Sequence, residues 1–161
     1  ENSIACMQLG SKYLRGEGVR ADNKVAFRWY MKAANHENPI AQHKLGYFYD
    51  EGLQGACEVN ISEAVRCYSR ASELMPDSMH NLAKIYEDGR GSIQADMKQA
   101  VTLYSVAAAR GFPLSQVNLG RLFLLGEDGV RRDREAGKRL LTLAAESGDC
   151  DAQMVVGMIH A

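Results

Sequence analysis

The amino-acid sequence predicts an all-α fold, a right-handed superhelical α/α solenoid of stacked antiparallel helix pairs, and three observations predict it. The chain repeats itself: Ala5, Ala41, Ser78, Ser115 and Ala152 are equivalent starts at spacings of 36, 37, 37 and 37 residues, a period that belongs to repeat architectures. Each start is followed four residues later by an aliphatic (Leu9, Leu45, Leu82, Leu119, Val156) and eight residues later by an aromatic (Tyr13, Tyr49, Tyr86, Phe123), with His160 in the last copy. Residues four apart share one face of an α-helix. Glycines then separate this helix from a second segment with apolar residues at spacings of three and four. Two antiparallel helices cannot bury both apolar faces alone, so successive pairs must stack.

The elements follow in order, with A and B naming the two helices of a repeat. The first A helix is expected over 3–15, with small Gly10 after Leu9 leaving room for a neighbouring helix; Gly46, Ala83, Gly120 and Gly157 repeat that column. Its B helix is expected over 22–35, where Asp22 is an N-cap whose carboxylate can accept from the free amides of the first turn. The columns Ala26, Trp29-Tyr30 and Ala33-Ala34 form its apolar face. Asn38-Pro39 starts an A helix over 38–51, with proline tolerated in the first turn. A longer loop, 52–59, leads to Asn60, which with Glu63 resembles a capping box and opens a B helix over 60–74. That role also accounts for the triplet Asn60-Ile61-Ser62, an acceptor sequon in a secreted chain. Asp77 starts an A helix over 77–88 and Asp96 a B helix over 96–110; further helices are expected over 114–125, over 133–147 behind Asp133, and over 151–160, an A helix without its B. No strands are expected. The whole of 1–161 reads as one repeat domain, with repeats at about 5–40, 41–77, 78–114 and 115–151 and a half-repeat at 152–161, part of a longer protein.

Composition excludes several classes of function. Nineteen Lys and Arg nearly cancel 20 Asp and Glu, for a formal charge of −1, whereas nucleic-acid and anionic-membrane binders need a basic excess. No nucleic-acid partner and no membrane insertion are expected, since the apolar runs 122–125 and 154–159 fall far short of the roughly 20 residues that span a bilayer. The first residues show no basic region followed by an apolar stretch, so no signal peptide is visible. The four cysteines form neither CxxC nor zinc-spaced pairs; as unpaired thiols they favour a reducing, cytoplasmic compartment. Gly16-Glu17-Gly18-Val19 and Gly89-Arg90-Gly91-Ser92 lie between helices without a preceding strand or a GKS/GKT, so they read as turns and not as phosphate loops. No P-loop, HExxH, serine elbow or paired-carboxylate motif occurs. The chain is expected to be no enzyme, with no cofactor and no metal site.

Leu9-Gly10, Tyr13, Gly16-Glu17-Gly18-Val19, Asp22, Ala26, Trp29-Tyr30 and Lys32-Ala33-Ala34 closely resemble the Sel1-like repeat family, relatives of the tetratricopeptide repeats. Repeat two departs by its longer loop and Asn60, and repeat four by Leu140-Leu141 in place of the aromatic pair. Some cysteine-rich relatives staple each repeat by a disulfide at a spacing of about eight; no cysteine pair here has it. The resemblance implies an adaptor or scaffold that binds a protein or peptide on a concave surface lined by the A helices.

On that reading the third residue of each repeat (Met7, His43, His80, Val117, Met154) and the seventh (Ser11, Tyr47, Lys84, Arg121, Met158) face the groove. Helix ends add Leu14 and Arg15, Asp50 and Glu51, Glu87 and Asp88, Leu124 and Leu125. The acidic middle suggests a peptide with basic residues near repeats two and three, anchored by apolar contacts at one end. Asn81 with Lys84, and Asn118 with Arg121, are candidate carboxylate clamps, because amide and cation three apart share a helix face. His43 and His80 read as polar groove lining, lacking the third ligand that zinc sites need. His160 reads as a packing residue, and the charges from Arg131 to Arg139 as a solvated loop and helix start. The alternative is self-association, a homodimer formed through the apolar terminal repeat.

Overall fold

Short polar side chains decide where the helices begin. In the computed structural model, which describes residues 2–126 and 129–160 and leaves the side chains of Asp151, Val155, Met158, Ile159 and His160 undescribed, the cap oxygens of Asp22, Asn60, Asp96 and Asp133 accept from the amides of Val25 (3.0 Å), Glu63 (3.1 Å), Gln99 (3.0 Å) and Ala136 (2.9 Å). Those four residues open the B helices α2 (Asn23–Asn35), α4 (Ile61–Ala71), α6 (Met97–Ala109) and α8 (Arg134–Glu146). The A helices are α1 (Ser3–Arg15), α3 (Pro39–Glu51), α5 (Pro76–Asp88), α7 (Pro113–Leu125) and α9 (Cys150–His160). Asn2, Asn38 and Asp149 cap α1, α3 and α9 in the same way. Asp133→Ala is expected to cost about 1 kcal/mol in urea denaturation; a loss below about 0.3 kcal/mol would show that the cap bond does not hold α8.

Three local expectations change. Helix α5 starts at Pro76, one residue before Asp77, which sits in its first turn. Helix α4 stops at Ala71, where the amides of Leu74 (3.1 Å) and Met75 (3.0 Å) both donate to the Ala71 carbonyl and turn the chain before α5. The Asn60 capping box forms by half: Asn60 accepts from the Glu63 amide, but the Glu63 carboxylate turns to Arg66 (3.1 Å to Nε) and not back to the cap.

One backbone hydrogen bond recurs in all four full repeats and closes each A–B hairpin. The amide of the B-helix cap donates to the carbonyl of the aromatic column: Asp22 to Tyr13 (2.9 Å), Asn60 to Tyr49 (2.7 Å), Asp96 to Tyr86 (2.8 Å), Asp133 to Phe123 (2.9 Å). The cap thus anchors two helices at once. The close return of the chain demands glycine: Gly89 has φ +65°, and a Cβ there would stand 2.7 Å from the Ala95 amide nitrogen. The extra residues of repeat two fold into a small bridge between Leu53 and Cys57 (2.9 and 3.0 Å), with the Cys57 thiol directed at the Phe48 carbonyl.

The residues form two compact units. The first runs to Ser78 and includes Arg90–Ile93; the second holds Met79–Gly89 and the chain from Gln94 onward. In the first, Tyr30, Ala33, Ala41, Leu45, Phe48 and Cys67 bury one another, and Tyr30 meets Phe48 edge-on at 5.4 Å. In the second, Ala83, Ala100, Tyr104, Leu119 and Leu122 do the same. Alanines of the B helices (Ala26, Ala33, Ala64, Ala71, Ala100, Ala107, Ala144) are wholly buried, since a methyl is all that closely packed helices admit. The start and aliphatic columns are buried in α3, α5 and α7, whereas Ala5 and Leu9 of α1 are exposed and Val156 of α9 is half-buried.

Candidate partner-binding surface

Groove lining was expected of third-position residues, and the two histidines are placed otherwise. His43 Nδ1 shares a 2.8 Å hydrogen bond with Ser78 Oγ, and His80 Nδ1 one of 3.0 Å with Ser115 Oγ. Each histidine thus joins its A helix to the start column of the next one. Their rings lie 5.7 Å from Tyr68 and 5.4 Å from Tyr104. His80 is only 6% exposed, and its ring packs inside the fold. Burial pushes the His43 pKa below its ordinary 6.5; Asp77 opposes this and Lys44 adds to it. A lowered native pKa means that the unfolded chain takes up the proton first. The stability tied to a neutral His43 is complete above the ordinary pKa and is lost as pH falls through the native one. Thermal melts of His43→Gln should therefore lose less stability than the parent between about pH 7 and pH 5, and equal losses would remove this role from His43.

Two of the four residues of the expected acidic middle are engaged within the chain. Asp50 is buried, and its carboxylate meets Arg90 at 2.6 Å. Glu87 accepts from the Tyr104 hydroxyl at 2.7 Å and from Arg121. Asn118 completes the set by donating to the Tyr104 hydroxyl at 3.1 Å. The Asn118–Arg121 clamp thus already serves a carboxylate of its own chain, Glu87, with Asn118 acting through Tyr104. Burial first, and the Glu87 hydrogen bond second, hold the Tyr104 phenol well above its ordinary pKa, so it remains a donor. The charges left in solvent are Glu51, Asp88 and Lys84, with Asn81 half-buried beside them in sequence.

Of the remaining expected residues, Tyr47 is 49% exposed on α3 and Met154 57% exposed on α9. Val117 is half-buried, and Leu124 packs so near Gly137 that a Cβ there would stand 2.9 Å from Leu124 Cγ. The side chains of Met158 and His160 lie outside the described residues. Met7, Ser11 and Arg15 do converge, in a groove of about 540 Å³ on α1 and α3. Lys12, Ile40 and Lys44 line it too, and the column reading missed them. A helical stripe does exist in the sequence at Gln8, Ser11, Lys12 and Arg15, spaced i, i+3, i+4 and i+7. The floor is Tyr30, whose pKa burial raises against the effects of a Ser11 hydrogen bond and of Arg15.

The Sel1 repeat profile matches residues 3–38, 39–74, 76–112 and 113–149. This chain belongs to the Sel1 repeat family. Its Sel1 repeats are similar to the chitin synthase regulator SKT5 of Saccharomyces cerevisiae, 31% identical over 86% of this chain and 21% of that protein. They also resemble cytochrome c oxidase assembly factor 7 of Xenopus tropicalis, 27% identical over 91% of this chain and 65% of the relative. Among solved structures, a protective antigen of uropathogenic Escherichia coli strains displaying an SLR fold matches with a TM-score of 0.90 and 29% identity, over 99% of this chain and 34% of that one. The chain therefore spans from about a fifth to about two thirds of the length of these relatives. Sel1 repeats of this kind are protein-interaction modules, and among the described residues no helix is long and apolar enough to cross a membrane.

Proposed function

We propose that the chain is a non-enzymatic adaptor that holds a partner protein or peptide on the exposed face of its A helices. One observation carries this reading: the packed columns carry similar residues from repeat to repeat, while the seventh-position column changes from half-buried Ser11 to exposed Tyr47, Lys84 and Arg121. Packing does not ask for an aromatic at Tyr47, which is half in solvent. A tyrosine there supplies large contact area at low entropic cost to a partner. The names of the relatives, a regulator and an assembly factor, agree with a role exercised through other proteins.

The test is site-specific photo-crosslinking from position 47 and, on a B helix, from the exposed position 139, in native lysate. A discrete product from 47 that is absent from 139 supports the A-helix face; product from 139 alone overturns it. Self-association is the second reading, favoured by the exposure of Met154 on α9. If the 47 product has twice the mass of the chain and sedimentation shows a concentration-dependent dimer, that second reading replaces the first.

A further inference from the structure

We propose that the α1–α3 groove recognises an acidic peptide segment carrying an apolar side chain, with a carboxylate of that segment held by Lys12 and Lys44. This deepens the partner-binding reading above and rests on it.

In the first unit Arg90 is tied to buried Asp50 and Arg66 to Glu63. Lys12 and Lys44 line one groove, and neither has a hydrogen-bond or ion-pair partner among the described residues. Arg15 reaches the same groove, held only by an ion pair to Glu17 at 3.0 Å in which both side chains are more than half exposed. Such pairs contribute little and open readily. The groove thus presents three cations against one carboxylate, and a ligand carboxylate would complete the pairing. Its volume, about 540 Å³, suits a few side chains, and small-ligand sites span about 300–1,000 Å³. Met7 and Ile40 supply an apolar wall, so the best match is a carboxylate next to an apolar residue. A polyanion such as RNA fits less well, because the chain as a whole has a net charge of −1 and phosphate-backbone binding grows with basic excess.

The expected ligand has the opposite charge to the basic peptide that the acidic residues of repeats two and three suggest in the sequence. The reason is that Asp50 and Glu87 are taken by Arg90, and by Arg121 and Tyr104, respectively.

The test uses an array of immobilised ten-residue peptides, balanced between Asp/Glu-rich and Lys/Arg-rich sequences, each with and without a Leu-Met pair. It is probed with the parent chain, with Lys12→Glu/Lys44→Glu, and with Arg134→Glu/Arg139→Glu, a double reversal of equal charge change at exposed positions of α8; thermal melts verify folding. Signal from the parent should favour acidic peptides bearing Leu-Met by about tenfold over basic ones. The Lys12/Lys44 reversal should lose that preference or invert it, and Arg134→Glu/Arg139→Glu should keep it. Lys12→Gln/Lys44→Gln, which adds no charge, should weaken acidic binding without creating basic binding. No acidic preference, no binding at all, or a preference unchanged in Lys12→Glu/Lys44→Glu would each overturn the proposal. A tight dependence on RNA competitor would replace the peptide by a nucleic acid. The adaptor reading stands or falls separately, on crosslinking from position 47.

Discussion

Gly46→Val is expected to destabilise the first unit by about 3 kcal/mol. A Cβ at position 46 would stand 2.6 Å from Tyr68 Cδ1 and 2.7 Å from Cε1, far inside van der Waals contact. The ring has little room to retreat, because Tyr68 is 0% exposed and the His43 ring lies 5.7 Å away. Valine adds two further methyls, so either α3 and α4 separate or the tyrosine leaves its rotamer. Gly46→Ala should cost less, about 1 kcal/mol, because the gain in helix propensity offsets part of the clash. The same column holds Ala83, buried with Tyr104 in the second unit, so one methyl is tolerated where the packing is built for it. Urea denaturation followed by circular dichroism measures both. A valine variant within about 0.5 kcal/mol of the parent would show that the A–B contact at this column is soft.

Tyr104→Ala is expected to cost the second unit about 4 kcal/mol, and the loss has two parts. The ring is 0% exposed and packs with Ala83, Ala100, Leu119 and Leu122, so its removal leaves a cavity. Its hydroxyl also stands between Asn118 and Glu87, on three successive helices, and deletion leaves the shielded carboxylate with Arg121 alone. Tyr104→Phe separates the two parts. It keeps the ring and should cost about 1–2 kcal/mol, the penalty for orphaning buried polar groups. If phenylalanine were neutral, the hydroxyl network would be dispensable and the ring alone would hold the three helices together. Stabilities of the two variants in urea, with Glu87→Gln as a third, decide this.

Much of the fold is legible from local rules. The Asp and Asn caps, the glycine turns and the alanine columns each act within one helix or one turn, where nearest-neighbour geometry fixes the result. Thus the bounds of α3 or α6 are met within a residue, and the exception at α4 is also local, a turn closed on the Ala71 carbonyl by the amides of Leu74 and Met75. The candidate surface was less legible. Tyr47, Met7, Ser11 and Arg15 lie at the surface as helical spacing requires, whereas His80 and Asp50 occupy equally plausible positions on the same helical wheel and are buried.

The sequence by itself determined the repeats, the helix pairs and the residues that pack, because those depend on periodicity and on bonds between residues a few positions apart. Only the tertiary structure decided which polar groups remain available to a partner. His43 meets Ser78 and His80 meets Ser115 across 35 positions, Arg121 meets Glu87 across 34, and Arg90 reaches Asp50 across 40. Each span is about one repeat, so these pairs exist only once neighbouring helices are stacked. Small rotations of a helix then determine whether a carboxylate finds an arginine or solvent, and periodicity alone does not set them. Stacking neutralises Asp50 and Glu87 inside the protein and leaves Lys12 and Lys44 beside an open groove, which fixes the sign of the charge that a partner would meet there.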